Sequence, residues 1–293
     1  MAIPSSGTIR IQQLQTEFGG TNPISLSEYY RNGAYVTANN TGIPTSGASR
    51  LGAFRGTVRQ FAFTISGNHD RANLRSLAVS AGWNQSDFLN VTIDANANIS
   101  SSTTATAAFT INGSYPNGIE VTNNGYIVGM GGNGGNMDNA GLPGGPALAV
   151  SSAVSIRNTG VIAGGGGGGG AGYTWGWNGL NRSSPGSGGA SGLTAASGGS
   201  GLPGWSGPGY SSAGPNSRGL YATGGASYNW GWGGRMSSPG GIGGAWGTAG
   251  DKGGTVDGAY NYTGYAGGAG GAAVTGNGNV TWLATGTRYG ALV

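Results

Sequence analysis

The chain has 293 residues, no cysteine and 8% charged residues, with a formal net charge of +4. The lack of cysteine excludes a disulfide framework and a thiolate metal site. The arginines form no basic run, so we expect no nucleic-acid-binding face. The sequence contains no stretch of about 18 apolar residues, so we expect no segment that spans a membrane. The N-terminus lacks the basic and apolar segments of a secretory signal, which predicts synthesis in the cytoplasm without standard export.

Residues 1–59 are predicted to form a small helical module because a segment occurs twice. Ile3–Leu14 and Ile43–Phe54 share five identical positions, and each copy opens with a proline turn that enters a short helix. In the first copy, apolar spacing predicts a helix over Ile11–Phe18 that ends at Gly19-Gly20. Between the copies, Ser25-Leu-Ser-Glu28 is typical of a helix capping box.

The apolar residues of this module have two interpretations. They form a small private core, or some of them dock on a partner protein and attach the chain to a larger assembly, because three short helices bury little apolar surface. The candidate attachment residues are Leu14, Phe18, Tyr29, Tyr30, Leu51 and Phe54.

Residues 60–125 are predicted to form an α+β connecting domain. Alternating apolar residues predict strands over Phe61–Ile65, Leu89–Ile93 and Ala107–Ile111. Between the first two strands, apolar spacing predicts a helix over Asn68–Ala81, with Gly82 at its end.

Residues 126–293 are predicted to form a third, glycine-rich domain. Only 12 of the 67 glycines lie in residues 1–124, and the other 55 follow. Disordered chains lack aromatic residues, whereas this stretch is rich in tryptophan and tyrosine, so we expect it to fold. A run such as Gly164–Gly170 suits neither helix nor strand. It suits extended polyglycine II helices, which are packed side by side and bonded to one another.

Two copies of one sequence repeat support this division and resemble a known family. Asn123-Asn-Gly-Tyr-Ile-Val-Gly-Met-Gly-Gly and Arg157-Asn-Thr-Gly-Val-Ile-Ala with the following seven glycines resemble the glycine-rich domain of bacteriophage tail-fibre adhesins, the receptor-recognising adhesins of T-even-like phages. The resemblance covers roughly residues 61–293. It implies a sandwich of polyglycine II helices, with loops at one end that contact a bacterial surface receptor. Residues 1–59 instead resemble a short module at the head of assorted phage tail proteins.

The expected function is therefore that of a virion tail protein, a tail-fibre or tail-tip adhesin. Its expected partners are other tail proteins, through residues 1–59, and a bacterial outer-membrane protein or surface glycan. Aromatic residues between the glycine tracts are the candidate receptor contacts, as in antibody paratopes: Trp205, Tyr210, Tyr260, Tyr262, Tyr265, Trp175, Trp177, Trp230 and Trp232.

Three alternatives stay open. The Trp-Gly-Trp sequence that occurs at both Trp175–Trp177 and Trp230–Trp232 could instead cover the outer glycine layers. The protein could also be a structural tail-tip or baseplate component without a receptor. An ice-binding protein is disfavoured because periodic glycine and flat threonine faces are missing. We expect no enzyme, no cofactor and no metal ion. The single histidine, His69, is interpreted as a surface residue or a residue at a helix N-terminus, and Asp251 and Asp257 have neither metal-ligand spacing nor a partner base.

Overall fold

The computed structural model describes residues 3–36, 40–135, 139–174, 182–184, 188–189, 191, 240–254 and 263–293. Within them, fourteen strands form three parallel sheets. The first sheet holds β1 (Gln60–Ile65), β4 (Phe88–Ile93), β7 (Ile119–Asn123), β10 (Val154–Asn158) and β15 (Val280–Ala284). The second holds β2 (Asn68–Asp70), β5 (Asn98–Ser100), β8 (Tyr126–Val128), β11 (Val161–Ala163) and β16 (Thr287–Tyr289). The third holds β3 (Ala72–Asn73), β6 (Phe109–Ile111), β9 (Leu148–Val150) and β14 (Val274–Thr275).

The order of the strands makes a three-sided parallel β-helix. Consecutive strands along the chain enter the first, second and third sheets in turn, and each circuit, here called a coil, stacks on the previous one. Five coils follow one another, and in the fifth Leu292 continues the third sheet by bridging Val274. Each residue therefore has its counterpart in the next coil as its neighbour.

The three sheets share one apolar interior, which explains why these short segments form strands. In the first sheet Val91, Val121 and Ile156 stand in register and are all buried. The alternating burial of β4, β7 and β10 places every second side chain in this interior. Side chains from the second and third sheets, such as Ile127 and Leu148, complete the same cluster.

Two α-helices lie in the described residues, α1 (Ile11–Phe18) and α2 (Leu74–Ser80). As predicted, α1 ends at Gly19, whose φ of 88° suits glycine. The capping Ser25 precedes a 3₁₀ helix, Leu26–Tyr29, and its hydroxyl accepts a bond from the Ser27 amide. Two further 3₁₀ helices occupy Leu51–Phe54 and Asn277–Asn279, and an antiparallel pair joins β12 (Gly172–Thr174) and β13 (Arg182–Ser184).

The predicted fold class is wrong. We expected a helical module, an α+β segment and then a polyglycine II sandwich, but the regular structure is mostly parallel β-sheet. Every one of the three sheets combines strands from residues 60–125 with strands from residues 126–293. The residues that lead into the glycine tracts, Tyr126–Val128 and Val161–Ala163, form the short strands that their sequence indicates, but these strands belong to the second sheet. Strands of three residues are too short to show an alternating pattern, so the coils could not be recognised from the sequence.

The predicted helix over residues 68–81 forms only in its second half. Asn73 caps α2, because its side-chain oxygen accepts a bond from the Ser76 amide. The preceding residues pair with the second coil instead, as β2 with β5 and β3 with β6. Leu74 and Ala78 of α2 are buried in the interior of the β-helix.

Candidate functional site

The glycine-rich segments are insertions at one corner of the β-helix. Residues 129–147 connect β8 to β9, and residues 164–273 connect β11 to β14. Both connections pass from the second sheet to the third, and they do so in adjacent coils. The two insertions therefore leave the β-helix side by side.

Neighbouring glycine runs are held together by backbone hydrogen bonds at every third residue. The amides of Gly129, Gly132 and Gly135 donate to the carbonyl oxygens of Ala163, Gly166 and Gly169, at 2.8 Å each. Glycine is required there by proximity rather than by turn geometry: a Cβ on Gly167 would lie 1.9 Å from the Gly268 carbonyl oxygen. The backbones of adjacent runs thus occupy the space that side chains would need.

These runs have a near end, against the β-helix, and a far end. At the near end the Gly164 amide donates to the Tyr289 carbonyl oxygen of β16 (2.9 Å). At the far end Gly170 and Ala171 are bonded to the other runs: Gly170 donates to Asp251 (2.9 Å), and Ala171 accepts from Tyr265 (2.8 Å). Gly241 donates to Gly170 there at 2.7 Å. Three other runs are therefore bonded to residues 170 and 171 on the side away from the coils.

Most of the predicted receptor-contacting residues lie outside the described residues: Trp175, Trp177, Trp205, Tyr210, Trp230, Trp232, Tyr260 and Tyr262. Two groups of these residues nevertheless adjoin described far-end residues in the chain. Residues 175–181 follow the far-end strand β12, and residues 255–262 connect residue 254 to residue 263, both next to far-end bonds.

Tyr265 is the one predicted contact within the described residues. It is half-buried, its amide donates to the Ala171 carbonyl oxygen, and its own carbonyl oxygen accepts from the Gly253 amide (2.9 Å). The backbone of Tyr265 is thus fixed at the far end.

An exposed charged pair lies at the far end, in the segment of residues 251–265 that is expected to contact the receptor and carries three of the aromatic candidates. Asp251 and Lys252 are both exposed, and the Asp251 amide donates to the Ile242 carbonyl oxygen (2.7 Å). The sequence does carry a signal for this position, because Lys252 is the only lysine of a chain with few charges.

The structure buries most of the candidate attachment residues. Leu14, Tyr29 and Phe54 are 0% exposed and Phe18 is 4% exposed, within a cluster that belongs to residues 3–54. The Phe54 ring meets the rings of Tyr29 and Phe18 edge-on, at 6.4 Å between centroids. These four side chains form a private core and offer no surface to a partner.

Two candidates keep an accessible surface. Leu51 and Tyr30 are partly exposed at the edge of the same module. The Tyr30 hydroxyl donates to the Gly47 carbonyl oxygen, which joins the middle of the module to its second repeat. Any docking by residues 3–59 therefore uses exposed polar residues more than the apolar core.

Two titratable side chains on the β-helix have shifted pKa values. Burial raises the pKa of Tyr115 to about 12, with Arg75 acting weakly in the opposite direction. Burial also acts to raise the pKa of Asp70, but hydrogen bonds from Ser102 and Arg71 outweigh it and lower that pKa. His69 lies in β2, where its Nε2 is 3.0 Å from the Ser66 carbonyl oxygen. None of these groups is arranged with a second group for acid–base catalysis.

In the part of the chain that the structure describes, no three acidic or histidine side chains come together to hold a metal ion. No helix among these residues is long and apolar enough to cross a membrane.

The model of the phage tail fibre adhesin family Gp38 matches residues 60–293. The chain belongs to this family. The match begins at β1 and so covers the whole β-helix and both glycine-rich insertions, but not the module before them. Membership in a family of tail fibre adhesins places the protein in the virion tail and indicates a binding rather than a catalytic protein.

A solved structure is also similar to this chain. It is the gp37-gp38 adhesin tip complex of the bacteriophage S16 long tail fiber, at 22% identity and a TM-score of 0.54, over 99% of this chain and 100% of that chain. At this identity the likeness concerns the fold. No curated protein matches the chain.

Proposed function

We propose that this protein is a tail-fibre tip adhesin that binds a bacterial outer-membrane protein or surface glycan with the far end of its glycine runs. The main support is that three other runs, through Gly241, Asp251 and Tyr265, are bonded to Gly170 and Ala171 at that end. The aromatic segments next to β12 and between residues 254 and 263 are attached there. Trp and Tyr provide large contact areas with little conformational entropy to lose.

The glycine runs suit this role because they form a rigid support with few side chains of their own. Backbone hydrogen bonds of 2.7–2.9 Å connect Gly165, Gly168 and Gly271 to neighbouring runs. A binding segment attached to fixed backbone loses less entropy on binding. The glycine runs can therefore keep one structure while the sequences of the attached binding segments differ.

The aromatic contacts are tested by adsorption to host cells. We expect Trp205→Ala with Tyr210→Ala, or Tyr260→Ala with Tyr262→Ala, to weaken adsorption at least about thirtyfold, since truncated interface aromatics often cost ~2 kcal/mol each. Tyr126→Ala is the matched control, because Tyr126 is a 42% exposed tyrosine on β8, in the β-helix. Melting temperatures should stay unchanged.

Two results would favour other functions. Intact adsorption by every variant would make the protein a structural tail-tip component without receptor contact. A fall in melting temperature that accounts for the loss of adsorption would mean that the aromatic side chains cover the glycine layers instead.

The single lysine offers a second test. Amine-reactive cross-linking can couple only Lys252 and the N-terminus to a neighbour. On cells, wild type should form a covalent adduct with a surface protein or glycan-linked amine, and Lys252→Arg should lose it. A wild-type adduct that maps only to the N-terminal amine, and so persists in Lys252→Arg, would argue against receptor contact at the far end.

We also propose that residues 1–59 attach the chain to another tail protein. The similar solved structure is itself a complex of gp38 with gp37, and the module has its own core, separate from that of the β-helix. Deleting residues 1–59 should leave a soluble, folded protein that is missing from purified virions. Normal copy number in virions would show that attachment lies elsewhere.

A further inference from the structure

The internal repeat of the module shows which shared residues the fold requires. Ile3 and Ile43 are 2% and 1% exposed, and both belong to the module core. Gly7 and Gly47 have φ values of +81° and +82°, which favour glycine, and no atom lies within 4 Å of a Cβ built on either. The prolines Pro4 and Pro44 restrict the chain before each bend.

Two further identities have no such explanation. Ser6 and Ser46 are exposed, and so are Arg10 and Arg50. Among the described residues neither arginine forms an ion pair. Arg59, in contrast, pairs with Asp87 at 2.7 Å. The same exposed serine and unpaired arginine thus occur twice, on the same local backbone.

We infer that each repeat is a binding site for a carboxylate, and that the two sites hold two copies of one acidic loop from a homo-oligomeric tail protein. This inference rests on the proposed attachment through residues 1–59 and names the chemistry of that contact. The guanidinium of Arg10 or Arg50 binds a carboxylate through a planar pair of N–H donors. The open bend at Gly7 or Gly47 lets the partner backbone approach closely.

The charge of the module fits an acidic partner. Residues 3–59 contain five arginines, no lysine and no aspartate, and their acids are Glu17 and Glu28. Glu17 is buried, at 5% exposed, so it leaves the surface positive. A nucleic acid would require a continuous basic face, whereas here the exposed arginines are few and repeated. The pattern therefore favours discrete carboxylates of a protein.

The duplication also indicates how many partner subunits are contacted. A closed homo-oligomer presents the same loop several times, related by rotation. One chain can contact two such loops only if it carries the matching surface twice. The repeat supplies this surface twice, and its two copies pack into one core that contains Ile3, Ile43 and Phe54.

The test uses full-length protein added to purified particles of a phage that lacks this chain. We expect Arg10→Glu or Arg50→Glu to weaken association about tenfold and the double variant about 100-fold, because separate sites contribute additively. Arg55→Glu is the matched control, since Arg55 is exposed and forms no ion pair with any described residue, and lies in the same module but outside the repeat. Association of wild type should weaken at high salt.

Each outcome bears on the inference. Unchanged association by the Arg10/Arg50 double variant, or an equal loss in Arg55→Glu, would overturn it, as would loss of association after nuclease treatment of the particles. Normal association of protein lacking residues 1–59 would instead refute the attachment proposal itself. Equal melting temperatures of all variants exclude misfolding, and Arg10→Lys with Arg50→Lys should retain part of the association because the charge remains.

Discussion

Replacing Gly167 with alanine is the sharpest test of how the glycine runs are packed. The added Cβ would lie 1.9 Å from the Gly268 carbonyl oxygen, 2.5 Å from its carbon and 2.8 Å from the Ala269 carbonyl oxygen. Ordinary van der Waals contact needs about 3.5 Å, so the run holding residue 268 must move by roughly 1.5 Å. Backbone atoms cannot escape by rotating a side chain.

This movement affects the hydrogen bonds of the same residue. The Gly167 amide donates to the Thr248 carbonyl oxygen (2.9 Å), and the Gly167 carbonyl oxygen accepts from the Gly244 amide (2.7 Å). Overpacking costs about 1–3 kcal/mol, and each buried group left without a partner about 1–3 kcal/mol. The expected sum, about 3–9 kcal/mol, approaches the whole stability of an ordinary domain.

Calorimetry of the purified variants measures the effect. At about 2–4 °C per kcal/mol for a domain of this size, Gly167→Ala should lower the melting temperature by more than about 6 °C or prevent soluble expression. Gly278→Ala is the matched control, because nothing lies within 4 Å of a Cβ there and φ is not positive. A melting temperature unchanged by Gly167→Ala would refute the packing argument.

Three further predictions concern the β-helix. Tyr115→Phe should raise the melting temperature by about 2–4 °C, since the buried Tyr115 hydroxyl has no hydrogen-bond partner in the part of the chain that the structure describes. Asn158→Leu should destabilise by about 2–4 kcal/mol in urea unfolding, because Asn158 is 1% exposed and accepts a 2.8 Å bond from Asn123. Asp70 has a lowered pKa, so its stabilising bonds exist above the ordinary value and disappear as pH falls through the lowered one. Asp70→Asn should therefore melt below wild type at pH ~7 and approach it below pH ~4, and an equal gap at both pH values would contradict this.

Local structure in the module could be predicted because its signals are local. Apolar spacing and Gly19 define α1, and Ser25 caps the next helical turn. The same holds for strands β1 and β4, whose five or six alternating residues resemble ordinary half-buried strands. The high glycine content likewise determined that runs must pack backbone to backbone, and the glycine motifs carried the family resemblance. Each of these depends on residues a few positions apart.

The β-helix could not be predicted, because its pairing joins residues that are distant in the chain. Asn158 and Thr285 bond across 127 positions, with the Asn158 amide donating to the Thr285 carbonyl oxygen (2.9 Å). β11 and β14 belong to one coil although residues 164–273 separate them. No local sequence pattern indicates that the third strand of this coil follows more than 100 residues later in the chain.

The candidate sites also depended partly on local sequence and partly on tertiary structure. Aromatic composition by itself pointed to Tyr260 and Tyr262, but only the bonds of the described runs indicate that their segment is attached at the far end. Sequence left Phe54 open as either core or docking surface, and tertiary packing decided it by reducing its exposure to 0%. The sequence therefore determined which residues are candidate contacts, whereas exposure and position, which depend on all the coils together, decided that Phe54 belongs to the core and that Tyr265 is fixed at the far end.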